Sequence, residues 1–167
     1  TSCTFDEGKR GVFFKGNTSA NVTDCDFTEM TYAGVQTSSL ATGASAYLEQ
    51  NTFTTCTEGF YAYNPDDGSS IIVFNNEFDF SGTLPSPTSS NPVPAYPTTR
   101  FAWIAGISTV NPAIYGFVMD NSPIINPETG IEISNVEFDY GTNGPSVYNN
   151  YVNFTQNADE INRYGIR

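Results

Sequence analysis

A short pattern returns along this chain about every 25 residues, and no segment between its copies carries a helical period. An apolar residue is followed by two polar ones, an Asn or Cys, one further residue, and then usually Phe. It reads Val22-Thr-Asp-Cys25-Asp-Phe27, Leu48-Glu-Gln-Asn51-Thr-Phe53 and Val73-Phe-Asn-Asn76-Glu-Phe78. Weaker copies are Val118-Met-Asp-Asn121-Ser-Pro123 and Val147-Tyr-Asn-Asn150-Tyr-Val152, and Cys3-Thr-Phe5 is the tail of another. The Asn/Cys positions, 3, 25, 51, 76, 121 and 150, lie 22, 26, 25, 45 and 29 residues apart. The long interval holds residues 81–99, with five of the ten prolines, and without those 19 it shortens to 26.

A second column keeps step with the first. Six or seven residues after each Phe comes Gly and then an apolar residue: Gly11-Val12, Gly34-Val35 and Gly59-Phe60, with Gly130-Ile131 at the same interval after Pro123. Alternation then directs Val12 and Phe14, Val35 and Thr37, and Phe60 and Ala62 to one face. Phe13 and Lys15, Gln36 and Ser38, and Tyr61 and Tyr63 go to the other. A period of this length, with short strands and no helix, is solved by making each repeat one turn of a coil, like positions stacking roughly 4.8 Å apart. The expected fold is all-β, a parallel β-helix of about five to six coils forming a single domain over 1–167. Phe5, Phe27, Phe53 and Phe78 stack inside it, and Asn51 and Asn76 sit at a left-handed bend. A β-sandwich would give strands without this period. Residues 81–99 are too long and Pro-rich for a turn and read as an inserted loop, either a covering arm or a docking element, with a composition that suits O-glycosylation.

The pattern resembles the pectin-lyase-like superfamily of right-handed parallel β-helices, whose coils carry an asparagine ladder at one bend. The resemblance covers Thr1 to about Val152 and concerns architecture. The superfamily includes pectate lyases, polygalacturonases, alginate epimerases, tailspikes and non-catalytic surface proteins, so the fold does not select a function. The chain starts at a ladder position and finishes at Gly165-Ile166-Arg167, which reads as the start of another strand. The expectation is a piece of a longer protein, or a unit whose ends neighbours cover.

Charge narrows the partners. Eighteen acids oppose six bases, and from Gly16 to Thr99 nine acids stand with no Lys or Arg. Such a surface repels nucleic acid and anionic membranes, while it tolerates neutral sugars and Ca²⁺. It reads first as a solubilising surface. No apolar run is long enough to span a bilayer, so membrane insertion is not expected. The chain has no histidine, which removes Ser-His-Asp and Cys-His nucleophilic sites, and the histidine motifs that the resemblance would bring from polygalacturonases and epimerases. No cofactor is expected. Calcium held by outward acids is compatible with the charge.

Few residues remain for chemistry. Asp66 and Asp67, in Asn64-Pro65-Asp66-Asp67-Gly68, are the carboxylate pair a glycosidase would need, and equally an ordinary turn. The pectate-lyase chemistry that the resemblance would bring needs a catalytic Arg beside calcium-binding acids; Arg100 is the one base of the middle coils, and no lyase motif surrounds it. Phe13, Tyr61 and Tyr63 project from the strand after each Gly as a strip on which sugar faces could stack, or which a partner or the inserted loop could bury. Trp103 is expected in the core. Asn17, Asn21 and Asn153 begin N-glycosylation acceptor patterns. Cys3 and Cys25 share the ladder column one coil apart, close enough for a disulfide and equally readable as two small buried thiols. Cys56 falls at the column position of Met30 and reads as an inert buried side chain. Two functions follow as expectations. One is a non-catalytic, rigid structural or adhesive element of an extracellular, cell-surface or virion-surface filament assembly, partnered by other subunits or further coils of the same chain. The alternative is a polysaccharide-binding or polysaccharide-degrading β-helix of the tailspike, lyase or glycosidase type.

Overall fold

The computed structural model describes residues 2–16, 19–80, 99–106 and 129–138, together with 113–114, 116–121, 124–125, 146–147, 152–153 and 164–166. Every strand pairing among them is parallel, which excludes a sandwich. The chain is an all-β parallel solenoid of about four turns. The count is slightly below the five to six expected. Most of the inserted segment lies outside the described residues, but Thr99 already rides in the stack. It is buried, and its carbonyl accepts from Thr129 N–H.

Three walls enclose the core. The first stacks Ala20–Thr23, Ser45–Glu49, Ser70–Phe74, Gly116–Asp120 and Ser146–Val147. The second stacks the opening halves of Cys3–Lys15 and Cys25–Ser38 on Thr52–Thr54, Glu77–Asp79, Ile124–Ile125 and Val152–Asn153. The closing halves of the same two long strands begin the third wall, continued by Glu58–Tyr63, Arg100–Ala105, Thr129–Ser134 and Tyr164–Ile166. Left-handed residues make the corners in stacked sets: Asp24, Gln50 and Asn75 at the first, Glu7, Glu29 and Thr55 at the second, Gly16, Ser39 and Asn64 at the third.

The ladder asparagines are therefore not the left-handed residues. The residues before Cys25, Asn51 and Asn76 are, with φ near 55° at Asp24 and Gln50 and 54° at Asn75. That twist turns the following side chain beneath the corner, where Asn51, Asn76 and Asn121 are all at most 1% exposed. Asn51 Nδ2 donates to Val22 O at 2.9 Å, and its Oδ1 accepts from Cys25 N–H at 3.1 Å. Asn76 repeats this one turn on, donating to Leu48 O at 3.2 Å and accepting from Asn51 N–H at 3.0 Å. Asn121 continues it, accepting from Asn76 N–H at 3.1 Å. Thr31 and Thr57 form a lesser ladder past the second corner, the Thr57 hydroxyl donating to Thr31 O at 3.1 Å.

The Phe and Gly columns turn out to be two sides of one contact. Phe5, Phe27 and Phe53 stack with centroids 4.9 and 5.0 Å apart. A Cβ on Gly11 would come within 2.4 Å of the Phe27 ring, and one on Gly34 within 2.5 Å of the Phe53 ring. The glycines are small because the facing wall's rings reach across the core to them. At the next layer the column holds Phe101 in register with Gly59, and Ala102 in register with Phe60, so large and small have changed places. Phe101 enters the core edge-on, 68° to Phe53 and 64° to Phe78, and interrupts the flat stack.

The fourth copy also shifts register. Met119, not Val118, lies opposite Val73, and Ile124, not Pro123, lies opposite Phe78. Asp120 is not left-handed, so the corner is one residue shorter there, and one extra residue follows Asn121. Gly34→Ala should cost about 1–3 kcal/mol in a urea or thermal unfolding series, since the core cannot expand around the added methyl. Gly34→Ala combined with Phe53→Leu should lose less than the sum of the two single changes, because they meet at one contact.

Candidate functional site

The third wall carries the ionic and aromatic chemistry on its outer face. Its outward columns follow from the register: Ala33–Glu58–Arg100–Thr129 is one, and Phe13–Gln36–Tyr61–Trp103–Glu132 the next. A third runs Lys15–Ser38–Tyr63–Ala105–Ser134. The first two columns lie three positions apart and the second and third two, and side chains from successive coils meet across them, as Arg100 does with Glu132.

Arg100 is the centre. Its Nη1 donates to Glu58 Oε1 at 3.1 Å and its Nε to Glu132 Oε2 at 2.8 Å. Its guanidinium lies over the Trp103 ring at 4.3 Å. Trp103 in turn stacks on Tyr61 at 4.6 Å and 12°. Tyr61 leans on Tyr32 at 6.0 Å and on Tyr63 at 6.1 Å. A second cation closes the other end: Arg10 lies 4.5 Å over Tyr32 and 5.2 Å over Phe13, and its Nε donates to Gln36 Oε1.

Glu58 is the most perturbed acid of the group. It is 3% exposed, and its Oε2, cut off from solvent, has no hydrogen-bond partner. Burial pushes its carboxyl up to about 8, against the opposing pull of Arg100. The ion-pair distance alone would argue for a lowered value, but Arg100 is shared with Glu132, and one Glu58 oxygen has lost its water without replacement. With Glu58 protonated, Arg100 and Glu132 balance one another. With Glu58 ionised, the trio carries an uncompensated buried charge.

The expected site residues are distributed differently. Asp66 and Asp67 are exposed in the turn after Asn64, where Ser69 N–H bonds Asp66 O at 3.2 Å. Phe13 and Tyr63 are exposed, at 48% and 41%, but Tyr61, on the same strand as Tyr63, is 5% exposed. Trp103 is a correction: it lies half-buried on the outer face, because its register partner Tyr61 faces outward. Asn21 is exposed on the first wall, whereas Asn17 and the side chain of Asn153 lie outside the described residues. Cys3 and Cys25 are thiols, Cys3 exposed rather than buried, and Cys56 is buried as expected, its thiol pushed up to about 12 by burial. Among the described residues no three acidic or sulfur side chains converge as a metal site requires, and no helix is long and apolar enough to cross a membrane. A polar groove of about 420 Å³ runs along the first corner, lined by Gln50, Asn75 and Glu77, and takes in none of the expected sugar-binding residues.

Comparison with protein families, curated proteins and solved structures gives no match. The site therefore rests on its own geometry.

Glu58 and Glu132 were not singled out in the sequence. Counting two residues before Phe60 and before Ala102 would have set Glu58 beside Arg100, had the Phe101-Ala102 exchange been recognised as a copy of Gly59-Phe60. The pH dependence of stability reports on this acid. The folded state holds a Glu58 proton that the unfolded chain releases above about pH 4.5, so stability falls as pH rises from there to about 8. The slope contributed is at most roughly 1.4 kcal/mol per pH unit. Glu58→Gln should flatten that window in thermal melts taken from pH 5 to 9, and should exceed the parent in stability at the alkaline end.

Proposed function

We propose that this chain is a non-catalytic, rigid β-solenoid element of an extracellular or surface assembly, cell or virion, with a structural or adhesive role. The observation that carries the reading is the mutual consumption of chemistry on the third wall. A sugar-binding platform needs open ring faces and unengaged polar groups. Here the Trp103 ring is stacked on Tyr61 and overlaid by Arg100, Tyr61 is nearly sealed, and Arg100 is committed to two carboxylates from different coils. These contacts tie Glu58, Arg100 and Glu132 across three successive coils, a use suited to stiffening a rod. Partners would be other subunits or further coils, with the exposed Phe13 and Tyr63 as available contact points. The exposed acceptor Asn21 and the acidic surface are compatible with a secreted setting.

The solenoid itself we read as the right-handed, pectin-lyase-like type. The buried asparagine ladder at one corner supports this, as does the strong preference of parallel crossover connections for the right hand.

A second reading is favoured by one observation. A buried acid held protonated near neutrality beside a more exposed carboxylate is the arrangement a glycosidase uses for acid catalysis. Incubation with a panel of acidic and neutral polysaccharides separates the two. The structural reading expects neither reducing ends nor unsaturated uronates to be released, and expects fibres in negative-stain images of native material. Release that disappears in Glu58→Gln would overturn it in favour of the hydrolase or lyase.

A further inference from the structure

The amide ladder changes chemistry at its last two rungs. From Asn121 through Asn76 to Asn51, each side-chain oxygen accepts from the backbone N–H one coil earlier, ending on Cys25 N–H. Each also accepts from, or donates to, the neighbouring amide, at 2.8 Å for Asn76 to Asn121 and 2.9 Å for Asn51 to Asn76. The next side chains in the same column are Cys25 and Cys3, Cα partners in adjacent parallel strands. Where the others carry amides that bond from coil to coil, this pair carries two thiols in register.

We propose that Cys3 and Cys25 are a reversible disulfide site that staples two successive coils, replacing the amide rung by a covalent one. In-register parallel neighbours have Cα atoms roughly 4.8 Å apart with Cβ atoms pointing the same way, inside the 4.4–6.8 Å range that disulfides span. Movement that closes the bond falls on the Cys3 strand, which in the described residues pairs only with Cys25–Ser38. Access is ordered. Cys3 is exposed, and Cys25 lies buried beside it with its Sγ donating to Thr23 O at 3.2 Å.

The reaction balances with a low-molecular-weight disulfide such as oxidised glutathione as oxidant. The Cys3 thiolate attacks one glutathione sulfur, forming a mixed disulfide and expelling one glutathione thiolate. Cys25 then gives up its proton, attacks the Cys3 sulfur and expels the second glutathione. Two protein S–H bonds are lost and one S–S forms, while one glutathione disulfide becomes two thiols that take up both protons. Burial raises the Cys25 pKa, so the second step is the slower one. Cys56 serves as an internal reference: fully buried, its Sγ 3.4 Å from Phe27 O, it stays out of the exchange.

The test is native incubation of the whole chain with oxidised glutathione, alkylation after denaturation, and peptide mapping without reduction. The expected product is a Cys3–Cys25 linked peptide two hydrogens lighter than its reduced parts, with Cys56 alkylated, and dithiothreitol should reverse it. Amide exchange across Thr4–Lys15 should slow by about tenfold or more in the oxidised form, because the link closes one full coil. Cys25→Asn keeps a side chain the column already accepts, so it should fold. That variant should stop at a stable Cys3–glutathione adduct. Recovery of both thiols alkylated in the parent, a glutathione adduct on Cys3 with no onward link, or a disulfide between two chains would each overturn the proposal.

Discussion

A carboxamide buried at a corner must find partners for two donor hydrogens and an acceptor oxygen, and a single coil supplies too few of them. Asn51 obtains its partners from Val22 and Cys25 on one side and Asn76 on the other, so its burial is tolerable only if three coils are in register together. A slip of one residue would present the amide to solvent and bring its neighbour inside. The ladder thus couples local conformation to assembly. The left-handed residue at Gln50 or Asn75 costs roughly 1–2 kcal/mol by itself, and the buried amide bonds it sets up are what offset that cost.

Register enforced at the corner then decides what the interior can hold. Because positions stack, the Phe of one wall always meets the same position of the facing wall, and Gly11 and Gly34 are the consequence. The exchange at Phe101 and Ala102 shows that the constraint is on the volume of the layer rather than on residue type. A ring supplied from the third wall fills the space that Phe60 fills one turn earlier. Its price is the flat ring stack, which turns edge-on there.

These dependencies explain which features could be read from residues alone. The period, the inward Phe27, Phe53 and Phe78, the stacking of Asn51 and Asn76 at a corner, and the outward Phe13, Tyr61 and Tyr63 all follow from columns that repeat by type. Three things did not. The bend was assigned to the asparagines because Asn tolerates left-handed geometry, whereas the twist falls one residue earlier on Asp24, Gln50 and Asn75, whose types vary because their side chains leave the core. Met119 and Ile124 escaped because a corner lost one residue and the following segment gained one, which a fixed spacing cannot detect. The outward place of Trp103 is hidden in the sequence because the glycine that marks this column elsewhere is Phe101 in its coil.

The Glu58 cluster escaped for a deeper reason. Glu58 and Arg100 share a column and Glu132 stands in the next, but they lie 42 and 32 residues apart along the chain, intervals that do not match the 25-residue period. Their contact arises only because coils stack and adjacent outward columns lie within side-chain reach. The same stacking that places them together withdraws Glu58 from water, so the fold that gives Arg100 two acids cannot keep both ionised at equal cost. Arg100 answers this by its shape. A planar fork can hold one carboxylate on Nε and another on Nη1 while its face remains on Trp103, which the single point charge of a lysine could not do. The wall is therefore joined on its outside by charge and ring contact as the corner is joined on its inside by amides, both acting between coils rather than within them.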